Sequence, residues 1–82
     1  VLNSDFTIDT ARAFARRLAK AAPQEEDRIA LAFRLAYGRE PSPAEASASL
    51  EFVRGAAAQE RLTPWEQLAQ ALLAANEFMW VD

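Results

Sequence analysis

Few residues in this chain could carry out chemistry, and their spacing settles most of the question. There is no histidine and no cysteine. That removes the commonest general base, thiol nucleophiles, disulfides and Cys/His zinc sites. Glu66 and Glu77 are eleven positions apart. On one helix that is about 16 Å of rise, too far for two carboxylates to share a substrate atom. Glu25, Glu26 and Asp27 are adjacent. Neighbours on a helix point in different directions, so they cannot converge on one ion. Ser42, Ser47 and Ser49 have no histidine to activate them, and no glycine-rich phosphate loop is present. The inventory predicts a non-catalytic chain with no cofactor and no metal.

The basic residues raise a different possibility. Arg12, Arg16 and Lys20 recur at i, i+4 and i+8, with Arg17 beside them. Such a stripe could bind phosphate or nucleic acid, but a solvated helix face is its ordinary role. "GREPS" joins two helical segments as in a helix-turn-helix. The segment in the recognition position carries Glu45, Glu51 and only Arg54. A DNA reader needs a basic face there, so no nucleic-acid partner is expected.

These residues sit on four helical segments. The 82 residues suffice for one domain with a thin stability margin. Apolar residues make up 51% of the chain, but 19 are alanine, leaving about 23 larger ones. Two glycines, four prolines and abundant Ala, Leu, Glu and Arg favour helix. No sustained alternation of β-branched residues argues for a strand. The expected fold is all-α, a compact bundle of four short helices.

The first helix is predicted over 6–22, with Ser4 or Asp5 as N-cap. Ile8, Ala11, Phe14, Ala15, Leu18 and Ala22 form its apolar stripe. Pro23 ends it. The second runs from Glu25 to Tyr37, its three acids at the end where the dipole favours them. Ile29, Ala32, Phe33, Ala36 and Tyr37 make one apolar face, and Leu31 and Leu35 a second. Two apolar faces predict a central helix, the most buried of the four. Gly38 stands at a left-handed C′ position.

"SPAE", Ser42 to Glu45, is a capping box with proline at N1. It opens a third helix expected to reach Ala58, with Ala46, Leu50, Val53 and Ala57 inward and Phe52 flanking. Gly55 there weakens the helix or permits a close contact. "TPWE", Thr63 to Glu66, repeats the capping chemistry. The fourth helix places Trp65, Leu68, Ala69, Leu72, Ala75 and Met79 on one face. Asn76 lies on the same stripe and is expected to satisfy a helix end or loop carbonyl locally.

Charge is unevenly spread about a net of −3. Residues 1–22 carry +2 and residues 62–82 carry −3. The first and last helices would attract modestly if packed together. No 18-residue apolar run and no signal peptide is present, so no membrane insertion is expected. The chain starts at Val1, which suggests a processed or excised piece.

"LNSDF", "GREPSPAE" and "QALLAANEFMWVD" occur in that order across nearly the whole chain. Together they resemble the C-terminal part of the planctomycete-type domain of unknown function found in large planctomycete cytochrome-c-like proteins. Asp5, Thr10 and Ala74–Ala75 depart from that pattern. The resemblance implies a C-terminal fragment of a larger exported protein, periplasmic or at the cell surface. It brings no catalytic residue, and the chain has no haem motif of its own.

The expected role is a non-catalytic helical module. It would pack against the upstream domains of its parent protein or dock a protein partner. Alternatively it would form one wall of a carbohydrate- or substrate-binding site completed by the parent, with Trp65, Tyr37 and Trp80 as stacking platforms. Met79 and Trp80 are expected to fold back and clamp the chain end. Phe78 points away from the stripe and is the candidate docking residue.

Overall fold

The computed structural model describes the backbone of residues 5–79 and the side chains of residues 7–75. Four helices follow one another: α1 (Asp5–Ala21), α2 (Glu25–Tyr37), α3 (Pro43–Gly55) and α4 (Pro64–Met79). No strand occurs among the described residues. The fold is an all-α four-helix bundle, as the periodicity predicts.

The capping chemistry forms where the sequence places it. Gly38 adopts φ 71°, and its N–H bonds the Arg34 carbonyl at 2.9 Å. A side chain at that φ would be strained, which is why glycine serves there. The Ser42 hydroxyl accepts the Glu45 N–H at 3.1 Å, and the Glu45 carboxylate accepts the Ser42 N–H at 2.8 Å. Thr63 and Glu66 make the same reciprocal pair at 3.3 and 2.9 Å. Each box satisfies two N–H groups that the helix start leaves without partners. The cap expected on Ser4 or Asp5 lies outside the described side chains.

Packing follows the α1 stripe closely. Ile8, Ala11, Ala15, Leu18 and Ala22 are buried. Leu18 joins Ile29, Phe33, Val53, Leu68 and Leu72 in the main core. Burying a side chain such as Leu18 or Ile29 contributes about 1.5–3 kcal/mol. A second cluster is made almost wholly of small residues, Ala11, Ala15 and Ala69, where α1 crosses α4. Methyl groups at a crossing let two helices approach closely. Part of the alanine excess is thus core material.

α2 is central, as expected, and shares that place with α4. Both α2 and α4 touch all three other helices, while α1 and α3 do not touch each other among the described residues. The α2–α4 pair therefore separates α1 from α3. The second apolar face of α2 is only half used: Leu31 packs on the core, whereas Leu35 is 42% exposed.

The third helix ends at Gly55, three residues before the expected Ala58. Ala56 is extended, with φ −72° and ψ 137°. Alanine has the highest helix propensity, so tertiary ties decide the matter. Leu62 is buried, Gln59 N–H bonds the Leu62 carbonyl at 2.9 Å, and Gln67 Nε2 bonds the Ala57 carbonyl at 2.9 Å. A helix continuing through 56–58 could not return the chain to that anchor. Ala57, outside the helix, is exposed, while Val53 is buried and Leu50 packs on the core as expected, with Ser49 buried as well. Gly55 mediates no close contact, since a Cβ there would meet nothing within 4 Å.

On α4, Leu68, Ala69 and Leu72 are buried, but Ala75 on the same stripe is exposed. The radius of gyration, 12.0 Å, matches the roughly 12 Å of a compact chain this long. The clamp expected of Met79 and Trp80 lies outside the described side chains.

Candidate functional site

Two of the ring candidates can be placed. Tyr37 closes α2, and its hydroxyl donates to the Leu72 carbonyl of α4 at 2.8 Å. Its ring meets Phe33 edge-on, with centroids 5.4 Å apart and planes at 73°. The Arg39 guanidinium lies 5.6 Å from the same ring. Burial pushes the Tyr37 phenol above its ordinary pKa; the negative Glu45 adds to this and Arg39 opposes it.

Trp65 opens α4 and is half-buried against both core clusters. The Arg28 guanidinium lies over its ring, 4.6 Å from the centroid. Arg28 is itself fixed, because Nε donates to the Ala22 carbonyl at 2.9 Å and Nη2 to the Pro23 carbonyl at 3.0 Å. It thereby satisfies carbonyls just past α1 while stacking on the indole. Tyr37 is therefore tied into the fold, whereas Trp65 is half-buried with Arg28 stacked on it. The structure does not bring them together: one sits at the C-terminal end of α2, the other beside its N-terminal half. Phe78, Trp80 and Asn76 lie outside the described side chains.

The sequence reading did not single out Arg28 or Arg39. Arg28 did carry a signal. A cation in the first turns of a helix sits at the wrong end of the dipole and needs another reason to be there. Arg39 grips Glu45 through two bonds of 2.7 and 2.9 Å. That pairing, with the Ser42 N–H second, holds the Glu45 carboxyl down to about 2.

The basic stripe of α1 divides into different roles. Arg12 reaches across to the 56–62 loop, and its Nε donates to the Arg61 carbonyl at 3.1 Å. Arg16, Arg17 and Lys20 are exposed. Leu35 of α2 and Phe52 of α3 are large apolar side chains left exposed, 42% each. α2 and α3 run antiparallel there, tied by Glu25–Arg54 at one end and Arg39–Glu45 at the other.

No group of three acidic residues could hold a metal among the described residues, and no helix there is long and apolar enough to cross a membrane. No buried side-chain nitrogen or oxygen among them lacks a hydrogen-bond partner. No protein-family model, curated protein or solved structure matches the chain.

Proposed function

We propose that this chain is a non-catalytic helical module that docks through its α2–α3 surface onto a protein, either the remainder of a larger exported parent of the planctomycete type or a separate partner. The exposure of Leu35 and Phe52 carries this reading. A typical interface buries about 800 Å² on each partner. On a molecule of 33 × 30 × 21 Å, such a footprint is a large share of one face. The polar groups support the same reading. Glu25, Arg39 and Glu45 are engaged in caps and ion pairs within the α2–α3 unit and are not gathered on one cleft.

A photocrosslinking amino acid at position 52, in protein made in its native host, tests this. A discrete adduct is expected, lost on Leu35→Asp and absent when the crosslinker stands at exposed Ala13 on α1. Equal adducts from both positions, or none from position 52, would overturn the docking surface. Turnover of ester, glycoside or sulfate substrates by the isolated chain would overturn the non-catalytic part.

A further inference from the structure

A groove of about 360 Å³ lies between α1 and the first turn of α4, away from Leu35 and Phe52. That volume falls in the range of small-molecule sites, about 300–1,000 Å³. Ala15 and Ala19 supply methyl groups, and the Trp65 ring extends this apolar lining. Arg16 and Arg28 also line the groove, as do Thr63 and Glu66. We propose that this groove binds a small organic oxyanion, a phosphate or carboxylate carried on a flat apolar body.

The donors are arranged for that chemistry. Arg28 is held in place by the Ala22 and Pro23 carbonyls and by the indole beneath it. Those two bonds use Nε and Nη2, leaving Nη1 outside them. A cation fixed before the ligand arrives loses little entropy on binding. Arg16 is exposed on the α1 wall, and its planar fork suits an oxyanion better than an ammonium would. The Thr63 oxygen accepts the Glu66 N–H at 3.3 Å, and its hydroxyl can donate outward. Glu66 is the one acid in the lining, and its Oε1 already accepts the Thr63 N–H at 2.9 Å. Two guanidinium groups against one engaged carboxylate leave the groove net positive. The alanine and indole lining selects for a ligand with apolar surface beside its charge. This proposal does not depend on docking through Leu35 and Phe52.

The test is an amide-resolved NMR titration of the whole chain with phenyl phosphate, benzoate, inorganic phosphate and phenol. Saturable shifts at Ala15, Arg16, Ala19 and Thr63 are expected below about 10 mM with phenyl phosphate or benzoate. Which of the two binds more tightly identifies the head group. Inorganic phosphate should bind about tenfold more weakly, and phenol should not saturate. Arg16→Gln should raise Kd about tenfold with the melting temperature unchanged, since Arg16 is exposed. The absence of saturable shifts, equal shifts at Arg17 and Lys20, or an unchanged Kd in Arg16→Gln would overturn the site. Inorganic phosphate binding as tightly as phenyl phosphate would overturn the organic ligand.

Discussion

The Arg39 guanidinium and the Glu45 carboxylate meet in a two-bond fork across the α2–α3 turn, at 2.7 and 2.9 Å, and the same carboxylate caps α3 through the Ser42 N–H. One side chain thus closes a helix start and ties it to the turn that leaves the preceding helix. Its carboxyl is held down to about 2, against an ordinary 4.5, first by Arg39 and then by the Ser42 N–H. A carboxyl whose folded pKa is lowered adds stability above its unfolded value and loses it as pH falls through the folded one. The Glu45 contribution should therefore be full at pH 7 and fade between 4.5 and about 2. Glu45→Gln should be less stable than the parent chain at pH 7. The gap should shrink as pH falls through that window, as read by urea denaturation at stepped pH. A gap independent of pH would show that the carboxylate charge does not matter.

The Tyr37 hydroxyl on the Leu72 carbonyl ties α2 to α4, the two helices that touch all others. Tyr37→Phe keeps the edge-on contact with Phe33 and removes this bond alone. The expected loss is about 1 kcal/mol, or roughly 4–8 °C in melting temperature. The phenol is raised above 10.0 chiefly by burial. Stability from this group is therefore complete below the unfolded value and is lost as pH rises through the folded one. Ultraviolet titration of the native chain should show phenolate appearing above 10.0, and at 10.0 in denaturant.

Ala11 and Ala69 have almost no exposed surface where α1 crosses α4. A larger side chain there must push the helices apart, at about 1–3 kcal/mol. Ala69→Leu should lower the melting temperature clearly, while Ala13→Leu and Ala57→Leu, at exposed positions, should stay within about 0.5 kcal/mol of the parent. Equal effects at all three positions would remove the close crossing as an explanation.

These alanines show where the sequence was legible and where it was not. The α1 stripe of Ile8, Ala11, Ala15, Leu18 and Ala22 could be read because helical period depends only on spacing. The caps at Ser42 and Thr63 could be read because their bonds span three residues. The end of α3 could not. Ala56, Ala57 and Ala58 favour helix locally, and the burial of Leu62 that overrides them is a tertiary fact. The same holds for the candidate site. Trp65 and Tyr37 stood out as rings, but Arg28 over one and the Leu72 carbonyl on the other come from packing. Periodicity places Leu35 on a second apolar face of α2, and only the packing of the other helices shows that this residue stays exposed.

Leu62 and Leu35 set these two lessons against each other in one experiment. Leu62 lies in a loop yet is 4% exposed, and Leu35 lies in a helix yet is 42% exposed. If burial rather than secondary structure decides, Leu62→Ala should cost about 2–4 kcal/mol through lost burial and a residual cavity. It should also free the 56–62 loop, since Gln59 and Gln67 both bond the Leu62 carbonyl and Arg12 bonds the Arg61 carbonyl before it. Hydrogen exchange should then accelerate at Gln59, whose N–H is the one held by Leu62, before the α1 and α4 amides change. Leu35→Ala should cost well under 1 kcal/mol in the isolated chain. The same substitution should weaken docking, because a side chain that contributes little to the fold can still anchor a partner. A large stability loss from Leu35→Ala would mean that the residue serves the core, and the α2–α3 docking surface would lose its anchor.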